Sequence, residues 1–461
     1  MKRTLSLAIG VAILAGGRPA SAITDIEVNA SIPFNLANPG ARSMGMGGAF
    51  VGLADDATAA YTNPAGLTQL VAPEVSVEAR HTAYSLPHAS SGSAILSPFN
   101  GSGIKTADAD NSKNNISFLS VVYPHDRWSF AFYRNELVNY SSNAKTSLDG
   151  ISVIDASTNS LIGQTFPETE VGSLKIVDYG LSAAWKASDS LSLGIGLSYY
   201  QLDINTSLDR VTYNGLKVYD ASGLGHLLPA GTPLSEQRQF GGGDDLSINL
   251  GARLALNDQV SFGFNYRRGP NLEYEATNAA LTNILFNDDG SVTLVPLSSP
   301  EVVSDLKNVR FKVPDEFGAG LSWRPNERWV VNFDVDYIQY SQLTHGIVSL
   351  FGNDSAVVSK LSIPNGAEIH FGGEYTFTQF AHPFSIRAGV WHDPRHSIEF
   401  KGDPGNDLNS AALATLFSGG QGSQTHGAVG FGWAFSKFEI DGAADFATVT
   451  DTYSISGIYR F

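Results

Sequence analysis

The feature that most limits what this chain can fold into is an alternation of apolar and polar residues that recurs from residue 73 onward. In 328–337, Trp329, Val331, Phe333, Val335 and Tyr337 share one face, while Asn332, Asp334 and Asp336 share the other. Leu191, Leu193, Ile195, Leu197 and Tyr199 oppose Ser192, Gly194, Gly196 and Ser198. Leu246, Ile248, Leu250, Ala252 and Leu254 oppose Ser247, Asn249, Gly251 and Arg253, and Phe438, Ile440 and Phe446 oppose Glu439, Asp441 and Asp445. A period of two belongs to β-strands, whose successive side chains point to opposite faces. A half-buried soluble sheet shows the same pattern, so alternation alone does not separate it from a membrane barrel.

The connections do. Strands read at 73–85, 115–124, 127–140, 171–186, 190–205, 244–256, 259–277, 308–323, 328–342, 366–378, 383–393, 425–435, 437–449 and 451–461 make fourteen. Until the last pair, short turns (Pro124-His125-Asp126, Ala187-Ser188-Asp189, Asn257-Asp258, Pro325-Asn326-Glu327, Ala381-His382, Ser436) alternate with long polar connections at 86–114, 141–170, 206–243, 278–307, 343–365 and 394–424. An up-and-down barrel of the outer membrane has this asymmetry, with short periplasmic turns and long external loops. The expected fold class is all-β: a 14-stranded antiparallel transmembrane β-barrel. Tyr453, Ile455, Gly457, Tyr459 and the terminal Phe461 share one face, which resembles the signal read by the barrel assembly machinery. Trp128, Trp185, Trp323, Trp329 and Trp391 fall near strand ends, as interfacial girdles require.

Composition fits. Only 16% of residues are charged and the mean hydropathy is −0.05. The net charge of −16 argues against nucleic acid as a partner, and zero cysteines remove disulfides, thiolate metal sites and Cys nucleophiles. Residues 1–22 read as an export signal: Lys2 and Arg3, an apolar Leu5–Gly16 stretch, and Ala20-Ser21-Ala22 as the cleavage site. The mature chain, exported to the outer membrane, is then more acidic still. The expected division is signal peptide 1–22, an N-terminal segment 23–72 that does not alternate, and the barrel 73–461.

That segment carries Ala37-Asn38-Pro39-Gly40-Ala41-Arg42-Ser43-Met44-Gly45-Met46-Gly47-Gly48-Ala49-Phe50, then Ala54-Asp55-Asp56-Ala57 and Asn63-Pro64-Ala65. Asp55 or Asp56 is expected to cap a short helix, and Asn63 followed by Pro64 to start another turn. No Lys-Ser/Thr follows the glycines, so they read as close packing rather than a phosphate loop. Together with Val313-Pro314-Asp315-Glu316-Phe317-Gly318-Ala319-Gly320 and Arg387-Ala388-Gly389-Val390-Trp391-His392-Asp393-Pro394, these blocks resemble the FadL/TodX family of outer-membrane transporters for long-chain fatty acids and other hydrophobic compounds. The resemblance implies an N-terminal hatch inside the barrel. It also implies capture of ligand in a groove between external loops, a site beside the hatch, and sideways exit near the third strand. It makes Arg42, Met46, Phe50, Asn63, Pro64 and Ala65 ligand-binding candidates.

Two apolar patches in otherwise polar loops suggest a landing groove: Leu224, Leu227 and Leu228, and Leu281, Ile284, Leu285 and Phe286, the latter on one face of a short helix with Ala279 and Ala280. Lumen-facing Arg253, Arg267 and Arg387, and Arg42 in the hatch, are candidate partners for a ligand carboxylate. The competing expectation is that they pair with Asp334, Asp336, Glu374, Glu439 or Asp441. No metal, cofactor or catalytic residue is nominated. His392 and His396 flank Pro394, and Lys113 and Leu119 stand where the Asp108 run would need the Gly and Glu of a calcium loop. The expected function is facilitated uptake, by a monomer set in lipid and lipopolysaccharide, of a fatty acid or hydrocarbon. The alternative is a structural partner of a secretion or surface-attachment system.

Overall fold

The computed structural model describes residues 36–96, 99–220, 222–287, 291–344, 360–403, 410, 414 and 422–461. The export signal and its cleavage site lie outside the described residues. Fourteen strands close an antiparallel barrel. In chain order they are β1 (Glu74–Leu96), β2 (Ile104–His125), β3 (Trp128–Lys145), β4 (Glu168–Lys186), β5 (Leu191–Val211), β6 (Asp244–Ala255), β7 (Val260–Arg267), β8 (Glu316–Asn326), β9 (Trp329–Ile338), β10 (Gly366–Phe377), β11 (Phe384–Asp393), β12 (Gln424–Phe435), β13 (Phe438–Phe446) and β14 (Thr450–Arg460). Each pairs with its neighbour, and β1 meets β14 from Glu74↔Arg460 to Tyr84↔Thr450. Closure leaves no edge, which the hydrocarbon core demands because it offers backbone groups no water.

The long connections depart from expectation, since much of their length is strand. β1 and β2 stay paired to Gly92↔Ile104, and β4 pairs with β5 to Glu168↔Arg210. Polar strands of this kind persist in water because the hairpin satisfies their own backbone groups. The expected strands 259–277 and 308–323 each divide in two. β7 stops before Gly269-Pro270, β8 starts after Pro314, and between them rises a hairpin of Asn271–Phe286 and Val292–Lys312. Proline supplies no ladder donor, so the wall breaks there. Pro233–Gly241 joins this hairpin to β5.

Outward side chains of the wall are apolar and exposed, among them Leu119, Val121, Phe130, Phe132, Leu181, Leu193, Ile195 and Leu197, as lipid contact requires. Trp128 and Trp185 stack across β3 and β4 with centroids 6.0 Å apart, and Trp323, Trp329 and Trp433 also face outward at the end with the short turns. Trp391 does not belong to this girdle. It faces the lumen, where its Nε1 donates to Asp445 Oδ2 at 2.9 Å.

Candidate functional site

The lower lumen, nearest the short turns, holds the buried stretch Ala41 to Leu70 of the segment 36–72. This segment holds two short helices, α1 (Ala41–Gly45) and α2 (Ala59–Thr62), and a 3-10 turn at Pro64–Gln69. Asn63 accepts from Ala65 N at 3.3 Å with Pro64 at the first helical position, as expected. Neither Asp55 nor Asp56 caps α2. Asp56 Oδ1 accepts from Thr58 N instead, and Asp55 is drawn to Arg42 and Arg324 because two guanidinium groups outbid a helix end.

Inward polar side chains of the wall hold the backbone of this plug. Asn249 donates to Tyr61 O (2.6 Å), Asn265 to Thr62 O (3.1 Å), Ser182 to Ala60 O (2.7 Å) and Asn332 to Ala49 O (3.1 Å), while Val51 N donates to Asp334 (2.6 Å). The wall comes close enough only because it carries glycine there. A Cβ at Gly263 would overlap the Val51 carbonyl, and one at Gly372 the Met46 carbonyl. Apart from Asp334, which was expected to pair with an arginine and instead accepts from Val51 N, these wall residues were not among the sequence candidates, although each sits on the polar face of an alternating strand.

The sequence candidates of the plug are therefore packed into it. Met46, Phe50, Asn63 and Ala65 are fully buried and Pro64 is buried, with Met46 and Phe50 against Leu53 in a small apolar cluster. Of the arginines, Arg42 makes a two-pronged contact with Glu374 (3.0 Å for both Nε and Nη2) and meets Asp55 at 2.7 Å. Arg387 holds Glu374 and Asp441, each at 2.6 Å. Arg267 pairs with Glu316 at 2.9 Å and lies over the Tyr61 ring at 3.8 Å. Ion pairs thus occupy three, Arg42 and Arg387 with acids that were expected, Arg267 with Glu316, its register partner on the adjacent strand, which was not among them. Arg253 differs: among the described residues no carboxylate meets it and its buried Nε has no partner.

Above the plug the lumen changes character. Along the inward face of β5, Ser192, Gly194, Gly196 and Ser198 give way to Tyr200, Leu202 and Ile204; along β4, Ser182 and Asp178 give way to Ile176 and Leu174. With Tyr84 and Leu86 of β1, Val138 and Tyr140 of β3, Ile338, and Leu272, Tyr274 and Phe311 from the hairpin, these form one buried apolar cluster. Barrel interiors are ordinarily polar. Beside it a cavity of about 100 Å³ lies between β1–β3 and β11–β14, lined by Tyr84, Lys113, Glu136, Val138, Trp391, His396, His426 and others. Burial opposes charge on His396, but Asp393 beside it more than offsets this and raises its pKa. His392 points outward.

The wall is incomplete next to this cavity. β2 and β3 pair only from His125↔Trp128 to Phe118↔Asn135, while both strands run on with their other neighbours. A bulge at Glu136/Val138 turns β3 away. Side chains bridge the gap: Arg134 donates to Ile116 O at 2.6 Å, and Glu136 accepts from Asn115, Arg134, Asn139 and Lys175. Ile116 on the outer side is apolar and exposed and is followed outward by Asn114 and Ser112, so the gap begins at the upper edge of the lipid-facing band.

In the outer hairpins, Leu228 and Ile284 are buried together with Leu216 and Val218, and Phe286 packs against them. Leu224 and Leu227 project into solvent. The helix expected over 279–286 is instead part of the strand Asn271–Phe286, paired from Thr282↔Pro296 to Phe286↔Val292. Extended backbone puts Leu281 and Leu285 on the face opposite Ile284, so the seven apolar candidates form no single surface.

A family model for outer membrane protein transport proteins (OMPP1/FadL/TodX) matches residues 23–401. Outer membrane protein P1 of Haemophilus influenzae is 21% identical over 409 residues, covering 84% of this chain and 80% of its own. Among solved structures, a Pseudomonas aeruginosa FadL homologue superposes with a TM-score of 0.61 at 15% identity, covering 93% of this chain and 99% of its own. The P. putida toluene transporter TodX does so at 0.57 and 15%, with the same coverage. The monoaromatic hydrocarbon channel CymD reaches 0.54 at 17% over the same shares of the two chains. The chain belongs to the OMPP1/FadL/TodX family of outer-membrane transport proteins.

Proposed function

We propose that this protein takes up hydrophobic small molecules across the outer membrane, through the apolar upper lumen and out sideways between β2 and β3. The observation that carries this reading is the apolar cluster standing above a filled lower lumen. A polar solute gains nothing in such a chamber and meets the plug below it. A hydrophobic solute gains about 25 cal/mol for each Å² it hides from water. The β2–β3 gap then offers a route into hydrocarbon without a return to water. Leu228, Ile284 and Phe286 are the part of the landing groove we retain, and the hatch residues act by closing the lumen below. The FadL homologue and the toluene transporter among the structural relatives accord with this chemistry.

Long-chain fatty acid is the finer expectation, and it requires a cation for the carboxylate. Arg42, Arg267 and Arg387 are engaged by acids and Arg253 lies at plug level near the short turns, which leaves Lys113 of the upper cavity to serve. The test is uptake of radiolabelled oleate and toluene into cells making the protein or lacking it, with mass spectrometry of whatever the detergent-purified barrel retains. Uptake above the control for either compound supports the reading. No uptake of either, with a stoichiometric co-purifying protein and no retained amphiphile, would replace it with the structural-partner role.

A further inference from the structure

We infer that Tyr84 is the bolt of the β2–β3 gap: its hydroxyl holds the outer arm of β3 across the opening, and a molecule filling the cavity beside its ring releases it. The inference rests on the uptake reading and adds to it the residue that regulates exit.

The gap is bounded at both ends. Its lower end is the last ladder pair, Phe118↔Asn135. At its upper end Ser141 of β3 meets side chains in place of a strand. Ser141 N donates to the Tyr84 hydroxyl at 2.7 Å, and the same hydroxyl donates to Ser141 O at 2.8 Å. One side chain thus satisfies both backbone groups that a neighbouring strand would have taken. Asn111, the register partner of Tyr84 on β2, adds a longer contact from Nδ2 to Ser141 O at 3.4 Å. Further out, His88 Nε2 donates to Lys145 O at 3.3 Å and Ser147 N to Ser90 O at 3.0 Å. The arm therefore stays tied to β1 beyond the opening.

The bolt also faces the cavity. Tyr84 is 4% exposed, its ring lies 5.4 Å from that of Tyr140, and it lines the cavity together with Leu137 and Val138 of the arm. A protein cavity of about 150 Å³ holds benzene. One of about 100 Å³ takes such a ring only when a lining group gives way. Trp391 is pinned by its bond to Asp445 and by stacking on His426 at 3.8 Å. Leu137 and Val138 are carried by β3 itself, which is laddered to β4. Tyr84 gives way by turning about its own side-chain bonds, and its hydroxyl then loses only Ser141. Entry of a ring-sized molecule acts on the same contact that closes the wall.

The test follows hydrogen exchange of single backbone amides in the detergent-purified full-length barrel, with and without toluene, and release of toluene from the barrel into liposomes. Strand amides alternate in direction, so the Ser141 N–H points into the gap while those of Tyr140 and Ser142 point to β4. Saturating toluene should speed exchange at Ser141 about tenfold, the factor that loss of one hydrogen bond confers, and leave Tyr140 and Ser142 unchanged. Tyr84→Phe keeps the ring and lacks the hydroxyl. It should show the fast Ser141 exchange without toluene and release toluene about tenfold faster than wild type. Exchange at Ser141 that ignores toluene, or release at the wild-type rate from folded Tyr84→Phe, would overturn the inference, and toluene uptake by cells would still uphold the reading beneath it. Tyr140 and Ser142 rising together with Ser141 would overturn it too, as a general loosening of β3. If cells take up neither toluene nor oleate, both fall together. Should Tyr84→Phe fail to fold, the wild-type response to toluene still decides.

Discussion

The two halves of the lumen are built from the same strands and obey opposite rules. Below, the wall is glycine, serine, asparagine and aspartate, and it grips the plug through backbone carbonyls and amides. Above, the same strand faces carry Tyr200, Leu202, Ile204, Leu174 and Ile176. The lower half therefore spends its polarity on holding the plug, and on the β4–β5 side the upper half is apolar because no plug backbone has to be satisfied there. Sealing and solvation are divided along the barrel axis.

The sharpest way to break that division is to deny the plug its seat. Gly263→Leu with Gly372→Leu puts side chains where the Val51 and Met46 carbonyls lie, and overpacking costs about 1–3 kcal/mol per site. The plug should be displaced from a barrel that still closes through its own ladder. Single-channel conductance and sensitivity to bulky antibiotics should rise sharply, with the folded barrel retained on semi-native gels. Unchanged conductance in folded double variant would mean that the glycines do not set the seat.

A smaller effect is expected from the charges that tie plug to wall. Arg387→Ala leaves Glu374 and Asp441 buried with one cation fewer, and breaking such a pair costs about 3–5 kcal/mol. Arg253→Ala, with no carboxylate to abandon, should stay within about 0.5 kcal/mol. Urea titrations of refolding into micelles compare them. Similar losses for both would show that ion pairing is not what distinguishes these arginines.

The upper half is tested by making it polar. Leu174→Glu with Leu202→Glu brings two carboxylates into the apolar cluster without touching the plug. Toluene uptake should drop about tenfold, the factor that a loss of about 1.4 kcal/mol of ligand transfer implies. Conductance should stay at the wild-type level. Uptake that survives would place the ligand path outside this chamber.

Much of this architecture can be read from the residues, and what cannot has definite causes. Strand number follows from alternation because every wall strand must face lipid on one side. The change between the two halves is also written in the chain, as an inversion of that alternation. In β5 the outward face runs Leu193, Ile195, Leu197, Tyr199 and then Gln201 and Asp203, just where the inward face turns from Ser198 to Tyr200 and Leu202. β4 repeats it, with outward Leu181 and Tyr179 followed by Lys175 and Ser173. Read as one continuous face, this inversion looks like a strand ending in a polar loop, which is why the projecting hairpins were expected as loops. Partners are another matter. That Arg387 meets Asp441 while Arg253 meets no acid depends on the stagger of strands and the fold of the plug, neither of which local sequence specifies. Apolar residues of 279–286 suit a helix as well as a strand, and only the pairing with 292–302 decides.

The mildest test concerns the place where the two halves meet the membrane. Pairing between β2 and β3 stops at Phe118↔Asn135, at the height where the lumen turns apolar, and the gap is held by side chains rather than by a ladder. Such bonds are individually weak, about 0.5–1.5 kcal/mol net, so they can yield without loss of the barrel. Arg134→Ala with Asn115→Ala removes the bond to Ile116 O and two donors to Glu136, leaving Asn139 and Lys175 in place. Barrel stability should change little, while the rate of toluene release into lipid should rise a few-fold. A lumen that discharges sideways must respond to this latch. If release and uptake are both unmoved in folded double variant, ligand leaves by another route, and the coincidence between the apolar chamber and the broken wall has no part in transport.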